Sequence, residues 1–502
     1  MKIVATLITL AFLSGCSTPA PSLLRMRSLS EPIALPDLDA SRPSSNGRIL
    51  GLANLPRDAD GRIRANVLYV HGIGWTQEKG KLDFGRDFIN AVVATFGGEA
   101  PSDVASTLCP RSAFSSAVER DSKPAGGKAG LFITDPAGYR AYFTDYAKNR
   151  SVSSDIACMD KQVIDLGERG SISVYRVIWD DVLYNAYQYP EIGYDDAFPK
   201  GSKIPPGRED VDALRTEENR ELKTSVVTYG LNDAAMYFGP VGSAMRLAVA
   251  SALCLAIDDA SGRSSALRDM ISSGKMRKVS AQQACVSSPG ALKPSFAVVA
   301  ESLGSRIVFD VLTGPDLENA FPGSESEAVR KAAMAKLGDL ANERLEVFFL
   351  ANQIPLFGTG RLSRQPRRAD PAKPVRLVAV SEINDVLTYE LVPYFEHLYF
   401  ERCRNSKNFP QEAEMDCGSR TSDELAASLI GSGKLRRDLL ADLGFEDITD
   451  VRVRFAHPVT FFKPGFINPL EAHTKHMTIP FIRNLVLCGA ESGEVKRCAG
   501  NE

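Results

Sequence analysis

The sequence predicts an α/β protein in which helices flank a largely parallel β-sheet. Six short runs, rich in apolar and β-branched residues, recur along the chain, and helical patterns lie between several of them. Several runs are apolar at odd and even positions alike, as expected of strands that are buried on both faces of a parallel sheet. Alternation of such strands with helices is typical of this class.

The predicted elements follow one another at uneven intervals. The strands are expected over residues 66–70, 172–178, 295–300, 345–350, 375–380 and 450–455. Helices are expected over 304–312 and 324–340, in the apolar region 231–258, and over 479–487 after the last strand. Two long intervals, at about 181–290 and 390–448, do not fit the alternation, so they are interpreted as insertions at the sheet rim that form a cap or lid.

Composition excludes several classes of protein. The chain has 502 residues, 44% of them hydrophobic and 24% charged, which excludes a collagen-like or wholly disordered chain. The formal net charge is −3, so no excess of positive charge points to a nucleic-acid partner. The length corresponds to about three average domains, or to one large domain with insertions.

The N-terminus has the features of an export signal. Met1-Lys2 precedes an apolar run over 3–13, which is too short for a membrane span of about 20 residues. The segment Leu13-Ser14-Gly15-Cys16 resembles the lipobox of bacterial lipoproteins, which implies removal of residues 1–15 and lipidation of Cys16. Because Ser and not Asp follows Cys16, the resemblance implies an anchor in the outer membrane. Residues 16–60 are expected to be a tether, and 491–502 a C-terminal tail.

Export makes disulfides the expected state of the remaining cysteines. Eight remain once Cys16 is assigned to lipid, and an even number in an exported protein favours pairing. Eight cysteines allow 105 pairings, so sequence does not determine connectivity. Short loops favour the pairs 403–417, 488–498, 254–285 and 109–158.

A serine follows the third predicted strand and precedes a helix. The segment Ala300-Glu301-Ser302-Leu303-Gly304 matches the strand–Ser–helix turn Gly-x-Ser-x-Gly, except that Ala stands in the first position. Small residues two before and two after the serine let strand and helix approach each other closely. Ser302 is therefore the candidate nucleophile.

A glycine-containing segment follows the first predicted strand. His71-Gly72-Ile73-Gly74 resembles the oxyanion-hole loop of lipases and esterases. By that resemblance, the backbone N–H groups of Ile73 and Leu303 are the oxyanion donors, and His71 holds the loop by hydrogen bonds.

Candidates for an acid and a base lie further along the chain. Asp385 follows the fifth strand and is the preferred acid, with Glu382 as the alternative. The histidines are 71, 397, 457, 473 and 476. The base is expected after the last strand, which leaves 457, 473 and 476 as candidates. His473, in the segment before the final helix, is preferred and His476 is second. His397, in the second insertion, is interpreted as a surface or packing residue.

The order Ser302, Asp385, His473 resembles that of the α/β-hydrolase family. The resemblance covers about 62–490, so 61–490 is expected to form one catalytic domain with insertions. It implies a serine hydrolase of the carboxylesterase or lipase type that acts on small-molecule or lipid esters through a Ser-His-Asp triad and needs no cofactor. Thioesterase, amidase and acyltransferase chemistry use the same triad and stay open, as does the oligomeric state.

Two other interpretations compete with this one. His473 and His476, at one-turn spacing with Glu471 nearby, could ligate a metal, although no HExxH or CxxC motif is present. The chain could also be an inactive hydrolase-fold lipoprotein that acts as a binding or scaffold protein, because a fold alone does not secure activity.

Overall fold

The protein is described here from a computed structural model of the whole chain. The structure describes residues 22–29, 48–55, 57–72, 85–98, 131–135, 155–179, 231–238, 241–263, 277–286, 294–313, 325–340, 345–358, 375–405, 439–440, 443–455, 469–491 and 494–498.

The strands of the described residues form one large sheet and one small one. In chain order they are β1 Ser22–Ser28, β2 Ile49–Leu50, β3 Ile63–Val70, β4 Leu131–Thr134, β5 Asp155–Asp165, β6 Gly170–Ile178, β7 Arg277–Ser280, β8 Ser295–Glu301, β9 Leu345–Leu350, β10 Val375–Glu382, β11 Asp447–Arg454, β12 Gly489–Glu491 and β13 Glu494–Val495. Ten of them form a central sheet in the order β1-β11-β10-β9-β8-β3-β6-β5-β4-β7. Strands β13, β12 and β2 form the small sheet.

The six strands predicted from the sequence are confirmed, and they form the parallel block of the central sheet. These are β6, β3, β8, β9, β10 and β11, which pair in parallel from one to the next. The chain goes from β3 to β6 on one side and later to β8 on the other side of β3. In open α/β sheets, a crevice forms at the carboxyl ends of the strands where the order reverses. The turns after β3 and β8 therefore face one crevice.

Helices cover both faces of the sheet. They are α1 Arg86–Phe96, α2 Asn232–Phe238, α3 Val241–Ala260, α4 Ala281–Ala284, α5 Leu303–Thr313, α6 Glu325–Leu340, α7 Ile354–Gly358, α8 Leu391–Asn405, α9 Pro469–Thr474 and α10 Pro480–Cys488. The helices expected at 304–312, 324–340 and 479–487 and in the region 231–258 are thereby confirmed, with ends displaced by a few residues.

Alternate side chains of the parallel strands enter two separate hydrophobic cores. Val298 and Ala300 of β8 pack with residues of α3, α5, α6 and α8, whereas Ala297 and Val299 pack with residues of α1 and α10. This alternation follows from the two-residue period of a strand. It explains why these strands are apolar at odd and even positions alike.

The segment 16–60 is expected to be a tether, and this expectation is corrected for its described residues, 22–29, 48–55 and 57–60. Strand β1 pairs antiparallel with β11 at the sheet edge, and β2 pairs with β12. The outward arginines of β1 make the segment look polar, but Arg25 pairs with Glu390 and Arg27 with Glu396. These partners are distant in sequence, so no local pattern marks the strand. Residues 16–21 lie outside the described residues.

The two regions expected to form a cap also need correction where they are described. Helix α3, from the first region, lies in the main core against α5 and α6, and strand β7 extends the central sheet. Helix α8, from the second region, buries Leu391 and Phe395 in the same core. Its first N–H groups, from Leu391 and Val392, donate to the carboxylate of Asp450 in β11. Both helices contribute buried apolar residues to this core, which the interpretation as insertions missed.

The C-terminal end is also more ordered than a tail. Strands β12 and β13 pair with each other, and Cys488 is disulfide-bonded to Cys498. The pair Cys254–Cys285 is confirmed as well and joins α3 to the end of α4. Cys158 is buried, whereas its expected partner Cys109, and Cys417 of the pair 403–417, lie outside the described residues. Among the helices that the structure describes, none is long and apolar enough to cross a membrane.

Candidate active site

Ser302 occupies a sharp turn between β8 and α5. Its φ is +52°, in the left-handed region that residues other than glycine rarely adopt. The turn is held because Ser302 N–H donates to Leu350 O of the neighbouring strand at 2.9 Å. A Cβ at Gly304 would lie 2.4 Å from His71 O and 2.6 Å from Val70 O. The small residue expected at this position is therefore required by close packing against the end of β3.

The segment after β3 lies directly against Ser302. A Cβ at Gly72 would be 2.5 Å from the Ser302 Cβ, so this position has room only for glycine. The preceding His71 is buried, and its Nδ1–H donates to Gly72 O at 2.6 Å. Its ring stacks on that of Trp179 with centroids 4.8 Å apart, and the Trp179 indole N–H donates to His71 O at 3.1 Å.

Burial lowers the pKa of His71 to about 3, so this imidazole is neutral at ordinary pH. The neutral ring is stacked and hydrogen-bonded to its own loop. Its role is therefore to position the backbone of that loop and not to exchange protons. Ile73, the expected first oxyanion donor, lies outside the described residues. Leu303, the expected second donor, is the first residue of α5, where backbone N–H groups lack intrahelical partners.

Asp385 is placed by a tight turn after β10. Its backbone N–H donates to Glu382 O at 3.2 Å, and Leu387 N–H donates to its Oδ1 at 2.9 Å. Its other oxygen, Oδ2, accepts from His473 Nδ1–H at 2.8 Å. One oxygen thus holds the turn while the other faces the imidazole.

Glu382, the alternative acid, is directed elsewhere. Its Oε1 accepts from the Asn384 side-chain amide at 3.0 Å and from Phe455 N–H at 3.1 Å. The Asn384 backbone N–H donates to its second oxygen. This carboxylate joins the Asp385 turn to the chain that follows β11, and the described contacts do not bring it to a histidine.

His473, in α9, connects the acid to the serine. Its Nδ1 faces Asp385, and its Nε2 lies 2.7 Å from Ser302 Oγ. All three side chains are buried, with exposed fractions of 5% for Asp385, 7% for Ser302 and 8% for His473. A carboxylate only accepts hydrogen bonds, so Nδ1 carries the proton and Nε2 is left as an acceptor for the hydroxyl. An imidazole in this state can take the proton of Ser302.

Of the described histidines on the C-terminal side of the serine, only His473 is hydrogen-bonded to Ser302. His476 Nδ1–H donates to His473 O at 3.2 Å, and its ring packs edge-to-face on Phe455 at 5.1 Å. Burial lowers the pKa of His476 to about 4. His397 is exposed on α8, as expected for a surface residue. His457 lies outside the described residues.

A second carboxyl group lies beside the serine. Burial raises the pKa of Glu301 to about 7, although its hydrogen bond with Tyr69 and the proximity of His473 oppose this shift. The structure also places the side-chain amide of Asn352 at the acid turn, where Nδ2 donates to Tyr389 O at 2.9 Å. Sequence reasoning missed both residues. The only signal for them is position, because each lies at or just after the end of a buried strand.

The geometry offers no cluster of three or more histidine, cysteine, aspartate or glutamate side chains suited to a metal ion within the part of the chain that the structure describes. Both ring nitrogens of His473 already face Asp385 and Ser302. The Glu471 side chain, which the metal interpretation requires, is not among the described ones.

Comparison with known proteins adds no family to this geometry. No protein-family model matches the chain, and searches of curated proteins and of solved structures find no match. The site is therefore interpreted from its own contacts.

Proposed function

We propose that the chain is a serine hydrolase that cleaves ester-type bonds through an acyl-enzyme intermediate. The observation that carries this proposal is the continuous hydrogen-bond series from Asp385 through His473 to Ser302, at 2.8 Å and 2.7 Å. Its members come from the turns after β8 and β10 and from α9, so nothing in local sequence forces them together. Aligned carboxylate, imidazole and hydroxyl groups are the parts that nucleophilic acyl transfer requires.

The proposed reaction has two halves. In the first, Ser302 Oγ bonds to the carbonyl carbon of the ester while His473 Nε2 takes the hydroxyl proton. The imidazolium is stabilised by Asp385, and it then protonates the departing alcohol as the ester C–O bond breaks. In the second half, water loses a proton to His473 Nε2 and attacks the acyl carbon. The imidazolium then returns that proton to Ser302 Oγ as the bond between Oγ and the acyl carbon breaks and the carboxylic acid leaves.

The negative charge that develops on the substrate's carbonyl oxygen requires hydrogen-bond donors beside that oxygen. The N–H of Leu303 is proposed as one of them, a role supported by its place at the start of α5 directly after Ser302. Ile73 is proposed as the second on the basis of the His71-Gly72-Ile73-Gly74 motif alone. Each such donor contributes about 3–4 kcal/mol to the stability of the transition state.

The assignment to the α/β-hydrolase fold belongs to the same proposal. It is supported by the strand–Ser–helix turn in the middle of a mostly parallel sheet and by the chain order Ser302, Asp385, His473. Attachment to the outer membrane through a lipid on Cys16 is proposed from the N-terminal motif. The substrate class, a small-molecule or lipid ester, is proposed from the resemblance to carboxylesterases and lipases, since the triad itself also serves thioesterase, amidase and acyltransferase chemistry.

Covalent labelling tests the nucleophile directly. A fluorophosphonate probe should label the wild-type protein, and Ser302→Ala should abolish the label while the thermal unfolding transition is retained. Ser251→Ala is the matched control, because Ser251 is also buried and its hydroxyl bonds within α3, to Leu247 O. Undiminished labelling of Ser302→Ala would exclude Ser302 as the nucleophile.

Hydrolysis of nitrophenyl esters tests the reaction class. A series of acyl-chain lengths, assayed on the protein without its lipid anchor, should give turnover that Ser302→Ala loses. Absence of both turnover and labelling in the folded wild-type protein would instead support the inactive binding lipoprotein.

A further inference from the structure

Strand β1 runs against the direction of the parallel strands, so it starts where they end. Its first residue, Ser22, is paired with Arg454, the last residue of β11, and its last residue, Ser28, is paired with Thr449. The strand therefore runs from the carboxyl edge of the sheet, at which the parallel strands end, toward the opposite edge over about 20 Å. The first residue of β1 lies at the carboxyl edge.

The turns proposed to carry the triad lie at this same edge. Ser302 follows β8, and Asp385 follows β10. Ile383, just before Asp385, donates its N–H to Val453 O of β11, the strand next to β1. Because neighbouring strands are about 4.8 Å apart, β1 lies about 10 Å from β10 and about 20 Å from β8 across the sheet. The start of β1 and the triad therefore share one edge.

Covalent geometry limits the distance between Cys16 and Ser22. Six residue steps separate them, and a chain spans at most about 3.6 Å per residue, or about 20 Å in all, in any arrangement. Strand β1 is fixed by its pairing with β11 and by the ion pair of Arg25 with Glu390. A lipid on Cys16 would therefore hold the bilayer surface no further than this from the carboxyl edge.

Two exposed apolar side chains lie at the same edge. Val386 and Tyr389, in the segment between β10 and α8, are 65% and 47% exposed. Single apolar side chains are ordinary on a protein surface, so their exposure alone does not assign them a partner. Their position beside the end of a short membrane tether does. Tyrosine suits a lipid–water interface, and Arg454, exposed at the end of β11, adds a charge that attracts anionic headgroups.

We propose that the carboxyl edge of the sheet is a membrane-docking surface, at which Val386 and Tyr389 contact the bilayer that holds the lipid of Cys16. This inference rests on the proposed lipidation of Cys16. It also narrows the proposed substrate. The turns that carry Ser302 and Asp385 then lie at the lipid surface, which favours an ester presented by the bilayer over a freely soluble one.

Quenching of tryptophan emission by lipid tests the surface. The lipidated full-length protein is placed on vesicles of phosphatidylcholine and phosphatidylglycerol, at a ratio of about three to one, with and without bromine on the acyl chains. After subtraction of the wild-type emission from Trp75 and Trp179, the emission of Val386→Trp should be lower on the brominated vesicles. Val163→Trp is the matched control and should emit equally on both. Val163 is also an exposed valine, at 48%, but it lies in β5, seven strand positions from β1.

Failure of the anchor and failure of the docking surface give different results. Absence of lipid on Cys16, by mass spectrometry of the N-terminal peptide, would overturn the proposed anchor and this inference with it. Unquenched Val386→Trp in lipidated, folded protein would overturn the docking surface alone, and a dimeric mass in that case would assign the patch to a second copy. Equal quenching of Val386→Trp and Val163→Trp would show that no edge is directed to the bilayer. None of these measurements depends on hydrolysis by Ser302.

A longer connection tests the part assigned to the short segment before β1. Insertion of about 30 glycine and serine residues after Thr18 adds a flexible chain with an average span of about 30 Å. The lipid should still hold the protein on the vesicles, while the quenching of Val386→Trp should fall because the carboxyl edge is released. Undiminished quenching after the insertion would show that the length of this segment does not set the orientation.

Discussion

Two neighbouring turns at the carboxyl edge of the sheet share one backbone geometry. Ser302, after β8, has φ +52°, and Ala351, after β9, has φ +53°. Each donates its N–H to the end of the next strand, Ser302 to Leu350 O and Ala351 to Val380 O. A left-handed residue directly after a strand is thus a property of this sheet edge.

The difference between the turns lies in what surrounds them. Ser302 faces His473 and lies against Gly72, where a glycine clears the space that a Cβ would fill. Ala351 has no polar side chain, and the residue after it, Asn352, supports the acid turn. Backbone strain alone therefore does not distinguish the two turns, whereas the imidazole and carboxylate aligned with Ser302 do.

Of the substitutions considered, removal of His473 should cause the largest loss of activity at the Ser302 turn. His473→Ala leaves Ser302 in its turn but without a base, so it becomes as inert as a serine at the Ala351 position would be. We expect kcat/KM for nitrophenyl acetate to fall by about 10⁴- to 10⁶-fold. His476→Ala should retain most of the activity, because His476 does not contact Ser302. An equal loss in both variants would show that the two imidazoles cannot be assigned from this geometry.

The Asn352→Ala variant tests whether the turn after β9 supports the acid turn around Asp385. Asn352→Ala removes the bonds to Tyr389 O and Ser381 Oγ that hold the chain around Asp385. We expect kcat to fall by about tenfold with little change in KM, because positioning loses on the order of 1–2 kcal/mol. Asn54→Ala, which removes an amide bond to Cys488 O near the small sheet, is the control. Unchanged kcat in Asn352→Ala would contradict the positioning role.

The energetic cost of the left-handed backbone at Ser302 can be measured by replacing this residue. Ser302→Gly removes a left-handed cost of about 1–2 kcal/mol, and the greater chain freedom of glycine offsets about 0.5–1 kcal/mol of it. Urea unfolding should therefore show Ser302→Gly to be more stable than Ser302→Ala by up to about 1 kcal/mol. Both comparisons remove one buried methyl group, so Ala351→Gly should change stability in the same direction and by a similar amount. A less stable Ser302→Gly would argue against strain in the turn.

Substitution of Glu301 should have the smallest effect on activity. The effect should be visible mainly in the dependence of kcat/KM on pH. With its pKa raised to about 7 by burial, Glu301 is neutral below that pH and charged above it. Its charge favours the imidazolium of His473, so kcat/KM should gain a few-fold from this ionisation between pH 6 and 8. Glu301→Gln should lack that gain, and the exposed variant Glu494→Gln should keep it. Identical profiles for wild type and Glu301→Gln would contradict the coupling.

The raised pKa also affects stability, with a sign that follows from linkage. The folded state holds the Glu301 proton more tightly than the unfolded chain, whose glutamate has the ordinary value of 4.5. Its contribution to stability is therefore complete below pH 4.5 and is lost as the pH rises through about 7. The Tm of the wild type should therefore decline as the pH rises through this range. Glu301→Gln should remove the part of that decline that is due to Glu301.

Much of the framework could be predicted from the sequence, for local reasons. Strands buried on both faces are apolar at most odd and even positions, so β3, β8, β9 and β10 are visible without a structure. The strand–Ser–helix turn needs small residues around Ser302, so Ala300 and Gly304 mark it. Edge strands lacked such a signal: β1 is stabilised by pairing with β11 and by ion pairs to glutamates more than 360 residues away.

The sequence by itself determined the parallel block of the sheet, the serine turn and a short set of candidate acids and bases, because those depend on period and residue size. Only the tertiary structure decided that Asp385 rather than Glu382 meets His473, and that His473 rather than His476 meets Ser302. It also decided that α3 lies in the core. Each of these depends on distances between segments far apart in the chain, and those distances are set by packing rather than by local pattern.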